Sequence, residues 1–176
     1  MQNYIDRMVR AAKLDVNLYE EVEADKGAMG QAMGVVVLSS VAAGIGSIGT
    51  MGIKGIIIGA ITALIGWYVW AYMTYFIGAR ILPEPQTKAD YGELLRTIGF
   101  SSSPGLIRVL AFIPGTSGII FTIASIWMLI AMVVAVRQAL DYQSTLRAVG
   151  VCTIGWVIQA VILMILFAAL GGGPKT

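Results

Sequence analysis

Residues 98–113 read Ile-Gly-Phe-Ser-Ser-Ser-Pro-Gly-Leu-Ile-Arg-Val-Leu-Ala-Phe-Ile, and whether this stretch crosses a membrane decides the fold. It is mostly apolar, yet Pro104, Gly105 and Arg108 interrupt it, and a proline removes one backbone donor from any helix that contains it. A span, a broken helix and a re-entrant segment are all compatible with it. Its neighbours leave less choice. Residues 29–49, 56–79, 118–136 and 149–170 each supply the roughly 20 mainly apolar residues that a spanning helix needs.

Charge decides between four and five spans. All ten acidic side chains, and nine of the twelve Lys and Arg, fall within residues 1–27, 80–97 and 137–148. If 98–113 spans and the N-terminus is inside, the cytoplasmic segments hold Arg7, Arg10, Lys13, Lys26, Arg80, Lys88, Arg96, Arg137 and Arg147, against Lys54 and Lys175 outside. Basic residues concentrate on the cytoplasmic side of membrane proteins, so nine against two favours this arrangement. A re-entrant stretch would move 137–148 outside and weaken the count to eight against three. The expected fold is therefore an all-α integral membrane protein of five spans, N-in and C-out. Residues 1–27 form interfacial amphipathic helices, 28–170 the membrane domain and 171–176 a short tail. The first span is expected to stay as an uncleaved anchor, because acids precede it where a signal peptide would be basic and apolar.

Bulk properties agree. The chain of 176 residues is 57% hydrophobic and 12% charged, with a mean hydropathy of +0.81, far from the quarter-charged composition of a soluble domain. A net charge of +2 gives no reason to expect nucleic acid, and at most a weak attraction to anionic lipid. In the N-terminal region Ile5, Met8, Val9 and Ala12 follow the 3.6-residue period, which predicts a helix in the headgroup plane. Asn17-Leu18-Tyr19-Glu20 has the form of a capping box, which predicts a second helix starting there. Such helices either dock on the membrane domain or form a platform for a partner.

The chemistry carried by the chain is sparse. Histidine is absent, which removes the commonest metal ligand, proton shuttle and triad base together. No Asp or Glu lies in a predicted span, which argues against an ion-coupled carrier. No enzyme, metal or cofactor is expected. Arg108 is the exception: an intramembrane arginine suggests a lipid phosphate or a partner's carboxylate, unless its long side chain reaches to an interface. Ser101, Ser102 and Ser103 can satisfy backbone groups freed by Pro104, or line a small polar path. Gly30-xxx-Gly34 and Gly55-xxx-Gly59 carry the small-residue spacing of close helix packing, within the bundle or between molecules. Cys152, the single cysteine, is read as a packing residue.

The run from Asp90 to Pro104, Asp-Tyr-Gly-Glu-Leu-Leu-Arg-Thr-Ile-Gly-Phe-Ser-Ser-Ser-Pro, resembles the third-span entry of the Yip1-domain family, five-span membrane proteins whose members often carry Gly-Tyr/Phe-small-x-x-Pro there. Gly99, Phe100, Ser101 and Pro104 match that element. Trp127, Arg137-Gln138-Ala139-Leu140, Ser144, Arg147 and Ala148, with the Leu14 to Glu21 entry, are similar to prokaryotic members. The eukaryotic Asp-Leu-Tyr-Gly-Pro element is absent, so the eukaryotic binding of prenylated Rab GTPases is not carried over. For prokaryotic members the resemblance implies a fold and a topology, in a cell membrane with the N-terminus cytoplasmic. The expected role is a non-enzymatic scaffold or accessory subunit, contacting membrane lipids and other membrane or cytoplasmic proteins within a larger complex. The alternative is a transport or lipid-handling protein built on the broken third span, with Gly99 to Pro104 and Arg108 at its site.

Overall fold

The computed structural model describes residues 2–169, and these are helical apart from short connections. Helices α1 (Gln2–Ala12) and α2 (Val16–Ala24) precede α3 (Met29–Gly46) and α4 (Ile48–Tyr75), which a π-helical turn extends over Phe76–Ile81. Then come α5 (Tyr91–Phe100), a 3-10 helix (Ser103–Phe112), α6 (Ser117–Ala139) and α7 (Thr145–Ala169). Among the described residues, four segments are long and apolar enough to cross a membrane: Lys26–Gly46, Gly52–Ile81, Ser117–Ala139 and Thr145–Ile162. The expected tail 171–176, with Lys175, lies outside the described residues.

These helices expose their large side chains and bury their small ones. Ile57, Ile61 and Ile65 of α4, and Ile119, Ile123 and Ile130 of α6, face outward, while Ala124, Ala131 and Ala135 of α6 are fully buried. Helices in a bilayer gain nothing from hiding leucine or isoleucine from lipid, so backbone proximity at small residues supplies the contact instead. Gly52, with φ of 62°, breaks α4 near its start, a backbone conformation that costs glycine little.

Residues 98–113 are not one helix. α5 begins seven residues earlier than that stretch, at Tyr91, and after Phe100 the chain tightens into ten residues of 3-10 helix, far beyond the usual three or four. This composite segment runs alongside α3 in the same direction. A side chain on Gly99 would meet Ala32, one on Gly105 would meet Ser39, and one on Gly46 would meet Arg108 and Ala111.

Asp90 opens α5 with a full capping box: its carboxylate accepts from Glu93 N–H at 2.9 Å, and Glu93 accepts from Asp90 N–H at 2.7 Å. Asp90→Ala is expected to lower stability by about 1 kcal/mol, read as thermal unfolding in detergent micelles. The box expected at Asn17 does not form. Asp15 is the cap of α2 and accepts from Asn17 N–H at 3.0 Å, while Glu20 accepts from Gln138 on α6.

The polar segments gather at one end. Arg7 is buried, its guanidinium donating to Glu21 and Asp25 and to Gln31 at the start of α3, while Arg10 donates to Asp15 and Glu21. Within α1, Arg7 and Ala11 point inward and Met8 packs against the core, while Ile5 and Val9 are exposed. Trp127 of α6 fastens α1 by donating to Ala12 O at 2.7 Å. Loop 82–90 is held to the turn after α6, where Thr87 donates to Leu140 O and Tyr142 donates to Gly78 O and Leu82 O.

Candidate functional site

Two concave regions among the described residues are lined by polar side chains. The first is a cleft of about 940 Å³ at the polar end, between α2, loop 82–90 and the end of α6. Glu20, Glu23, Glu93 and Asp141 line it with Lys88 and Arg137. Arg137 is committed elsewhere, donating to Tyr142 O and Gln143 O. Behind the cleft Arg96 is only 4% exposed and donates from Nε to Val22 O at 2.9 Å and to Glu23 O at 3.1 Å, with Nη2 also on Glu23 O. A cation here meets the negative end of the α2 dipole and satisfies carbonyls that the helix leaves unpaired. Burial pushes the Glu23 carboxyl up to about 7, helped by the negative charges of Glu93, Asp141 and Glu20 and opposed by Arg96.

The second region is a cavity of about 480 Å³ on the flank of the bundle, lined from the middle portions of α3, α4, α6 and α7 and by the α5 to 3-10 junction. Local chemistry explains the junction. Pro104 lacks the N–H that would bond Phe100 O in a continuous helix, and the Ser103 hydroxyl donates to that carbonyl at 2.7 Å. The Ser101 hydroxyl donates to Ile98 O at 2.7 Å. Arg108 then projects from the 3-10 helix onto α6: Nη2 donates to Ser125 Oγ at 3.3 Å, and the guanidinium carbon lies 5.6 Å from the centre of the Phe121 ring. Ser125 sits about two turns into α6, so the side chain reaches away from the start of that helix. Trp67 donates to Leu95 O at 3.0 Å, while Trp70 beside it has a buried Nε1 with no acceptor in the protein.

Of the residues singled out in the sequence, Arg108, Ser101 and Ser102 line this cavity together. Gly99, Phe100, Ser103 and Pro104 do not; they are buried in helix packing behind it. Gly34 packs against the Tyr4 hydroxyl of α1, whereas a side chain on Gly30 or Gly59 would meet nothing within 4 Å, and Gly55 is half-buried on α4. Sequence reasoning missed Ser39, Ser125, Gln159 and the unpaired Trp70 as neighbours of Arg108. The available signal was their polarity: each carries a polar group inside an apolar stretch.

A family model of the Yip1 domain matches residues 22–168, from within α2 into α7. No curated protein and no solved structure matches the chain.

Proposed function

Because the chain belongs to the Yip1 domain family, we propose that it is a non-enzymatic membrane scaffold or accessory subunit, crossing a prokaryotic cell membrane five times with its charged end in the cytoplasm. The fifth crossing is supported by the course of 91–112 along α3, from Ala32 opposite Gly99 to Gly46 opposite Ala111. With five crossings, α1, α2, loop 82–90 and the turn after α6 share one side, and nine basic residues make that side cytoplasmic.

The observation that carries the partner-binding role is the cleft at this end. Four carboxylates converge there against one lining cation not committed to carbonyls, Lys88, while Arg137 and the buried Arg96 are spent on backbone carbonyls. Like charges held together destabilise the free protein, and a cationic segment of a partner relieves them on binding. The binding element is thus a basic peptide stretch, presented by a cytoplasmic protein or by the cytoplasmic end of another membrane protein.

The test places a photo-crosslinking amino acid at Gln143, in the cleft, within native membranes. A discrete protein adduct is expected, lost when Glu20 and Glu93 are replaced by Lys and kept when Asp6 is. An adduct indifferent to the cleft charge, or none, refutes the role. A second role, lipid handling, is supported by the flank cavity that holds Arg108.

Glu23 gives a pH dependence. Its carboxyl is raised from an ordinary 4.5 to about 7, so the fold favours the protonated form. Its contribution is fully present below pH 4.5 and is lost as pH rises through 7. The carboxylates held below their ordinary range, Asp15, Glu21, Asp25 and Glu84, act oppositely and at lower pH. Thermal stability is therefore expected to fall between pH 4.5 and about 7, and Glu23→Gln to flatten that slope. An unchanged slope excludes Glu23 as its source.

A further inference from the structure

We propose that the flank cavity binds the oxyanion of a membrane lipid, a phosphate monoester or carboxylate on a hydrocarbon chain, with Arg108 as its counter-cation. All ten acids lie in the polar segments, and among the described residues no carboxylate pairs with Arg108. Its contacts are one serine hydroxyl and one aromatic face, and its Nε is buried with no acceptor in the protein. A guanidinium withdrawn from water and left without an anion is costly, and the cost is recovered when an anion arrives.

The second unpaired group in the same cavity is Trp70 Nε1–H. Indole and guanidinium groups donate and cannot accept, so both call for an acceptor. Ser102 and Gln159 add adaptable polar groups to the lining. The chemistry of the site is therefore that of an oxygen-rich anion and excludes a cation.

The position of the mouth says where such an anion comes from. Residues of the floor, such as Ser39, Trp70 and Ser101, are buried, while Gly66, Leu129 and Trp156 at the rim are exposed. The rim lies on the flank, among the outward-facing isoleucines, and in a membrane this surface meets acyl chains. A headgroup enters sideways with its tail left in the hydrocarbon. The volume, about 480 Å³, falls within the roughly 300–1,000 Å³ of small-molecule pockets.

The test uses the full chain in nanodiscs of phosphatidylcholine, supplemented with phosphatidic acid, with oleic acid, or with inorganic phosphate in the buffer. Bound species are read by native mass spectrometry after ejection from the disc. Wild type is expected to retain phosphatidic acid or oleate. Arg108→Gln is expected to weaken retention about tenfold or more, the worth of one charge-assisted hydrogen bond, and Trp70→Phe several-fold. Lys54→Gln, which removes an exposed basic residue elsewhere on α4, is expected to change nothing. Gly66→Leu covers cases in which Arg108→Gln fails to fold: a Cβ there meets nothing within 4 Å, so the helix accepts a side chain that narrows the mouth, and it too should lower retention. Equal retention by wild type, Arg108→Gln and Gly66→Leu overturns the proposal. Binding of inorganic phosphate without either lipid overturns its lipid source. The partner crosslink reads the cleft at the polar end and lipid retention reads the flank, so either result can fail alone.

Discussion

Replacing Arg96 by methionine is expected to lower stability by about 2–4 kcal/mol, although methionine fills much of the same volume. The guanidinium holds Val22 O and Glu23 O at the end of α2. Each buried acceptor left without a donor costs about 1–3 kcal/mol, and losing the cation from a helix C-terminus adds about 0.3–1 kcal/mol. Removing a buried charge returns part of its desolvation cost, which keeps the total at the lower end of that sum. For a chain of this size the loss corresponds to a fall of roughly 5–15 °C in Tm. Arg96→Lys should recover part of it, since one ammonium can serve a carbonyl but lacks the fork that serves two. A second readout separates this from a generic core defect. Arg96 holds the Glu23 carboxyl down against burial and its acidic neighbours, so its removal should steepen the decline of stability towards neutral pH. A Tm unchanged within about 2 °C would mean that α2 does not depend on this contact.

Gly46→Ala is the second large effect, and its sign is informative. Alanine is favoured over glycine in helices by about 1 kcal/mol. At Gly46, however, the added Cβ would lie 2.9 Å from Ala111 Cβ and closer still to the backbone oxygen of Arg108. A carbonyl in a helix cannot swing aside, so α3 and the 3-10 helix must separate; overpacking of this kind costs about 1–3 kcal/mol or more. A net loss of about 2 kcal/mol is expected. Gly30→Ala, in the first turn of the same helix, meets nothing within 4 Å and should stabilise by up to about 1 kcal/mol. Thermal unfolding of the two variants in one detergent decides the matter: equal shifts of the same sign would remove the close approach of α3 and the 3-10 helix.

The long apolar helices were legible because lipid demands continuous hydrophobic runs, and four such runs stand plainly in the chain. The stretch at 98–113 was legible as an interruption but not as a 3-10 helix, since that geometry follows from packing against α3 and from the Pro104 defect combined. Two segments had the pattern of a capping box. Only Asp90–Glu93 forms it, because Asp15 stands two residues ahead of Asn17 and captures its amide first. The apolar period of α1 was visible in Ile5, Met8, Val9 and Ala12. The burial of Arg7 was not, because it depends on Glu21, Asp25 and Gln31 arriving from two other helices. The cavity was the least legible part: Arg108 stood out alone, while Ser39, Trp70, Ser125 and Gln159 come from four different helices and meet only through the topology.

The fastening of the N-terminal helices has a consequence for the order of assembly. Ala12 O is held by Trp127, 115 residues later, and Val22 O by Arg96, 74 residues later. The ribosome delivers α1 and α2 first, whereas Arg96 emerges on the third α-helix after them, α5, and Trp127 on the fourth, α6. Contacts of such separation close late, since the loop entropy must be met before the bond forms. These two contacts of the first residues synthesised are thus both closed only once α6 has been made.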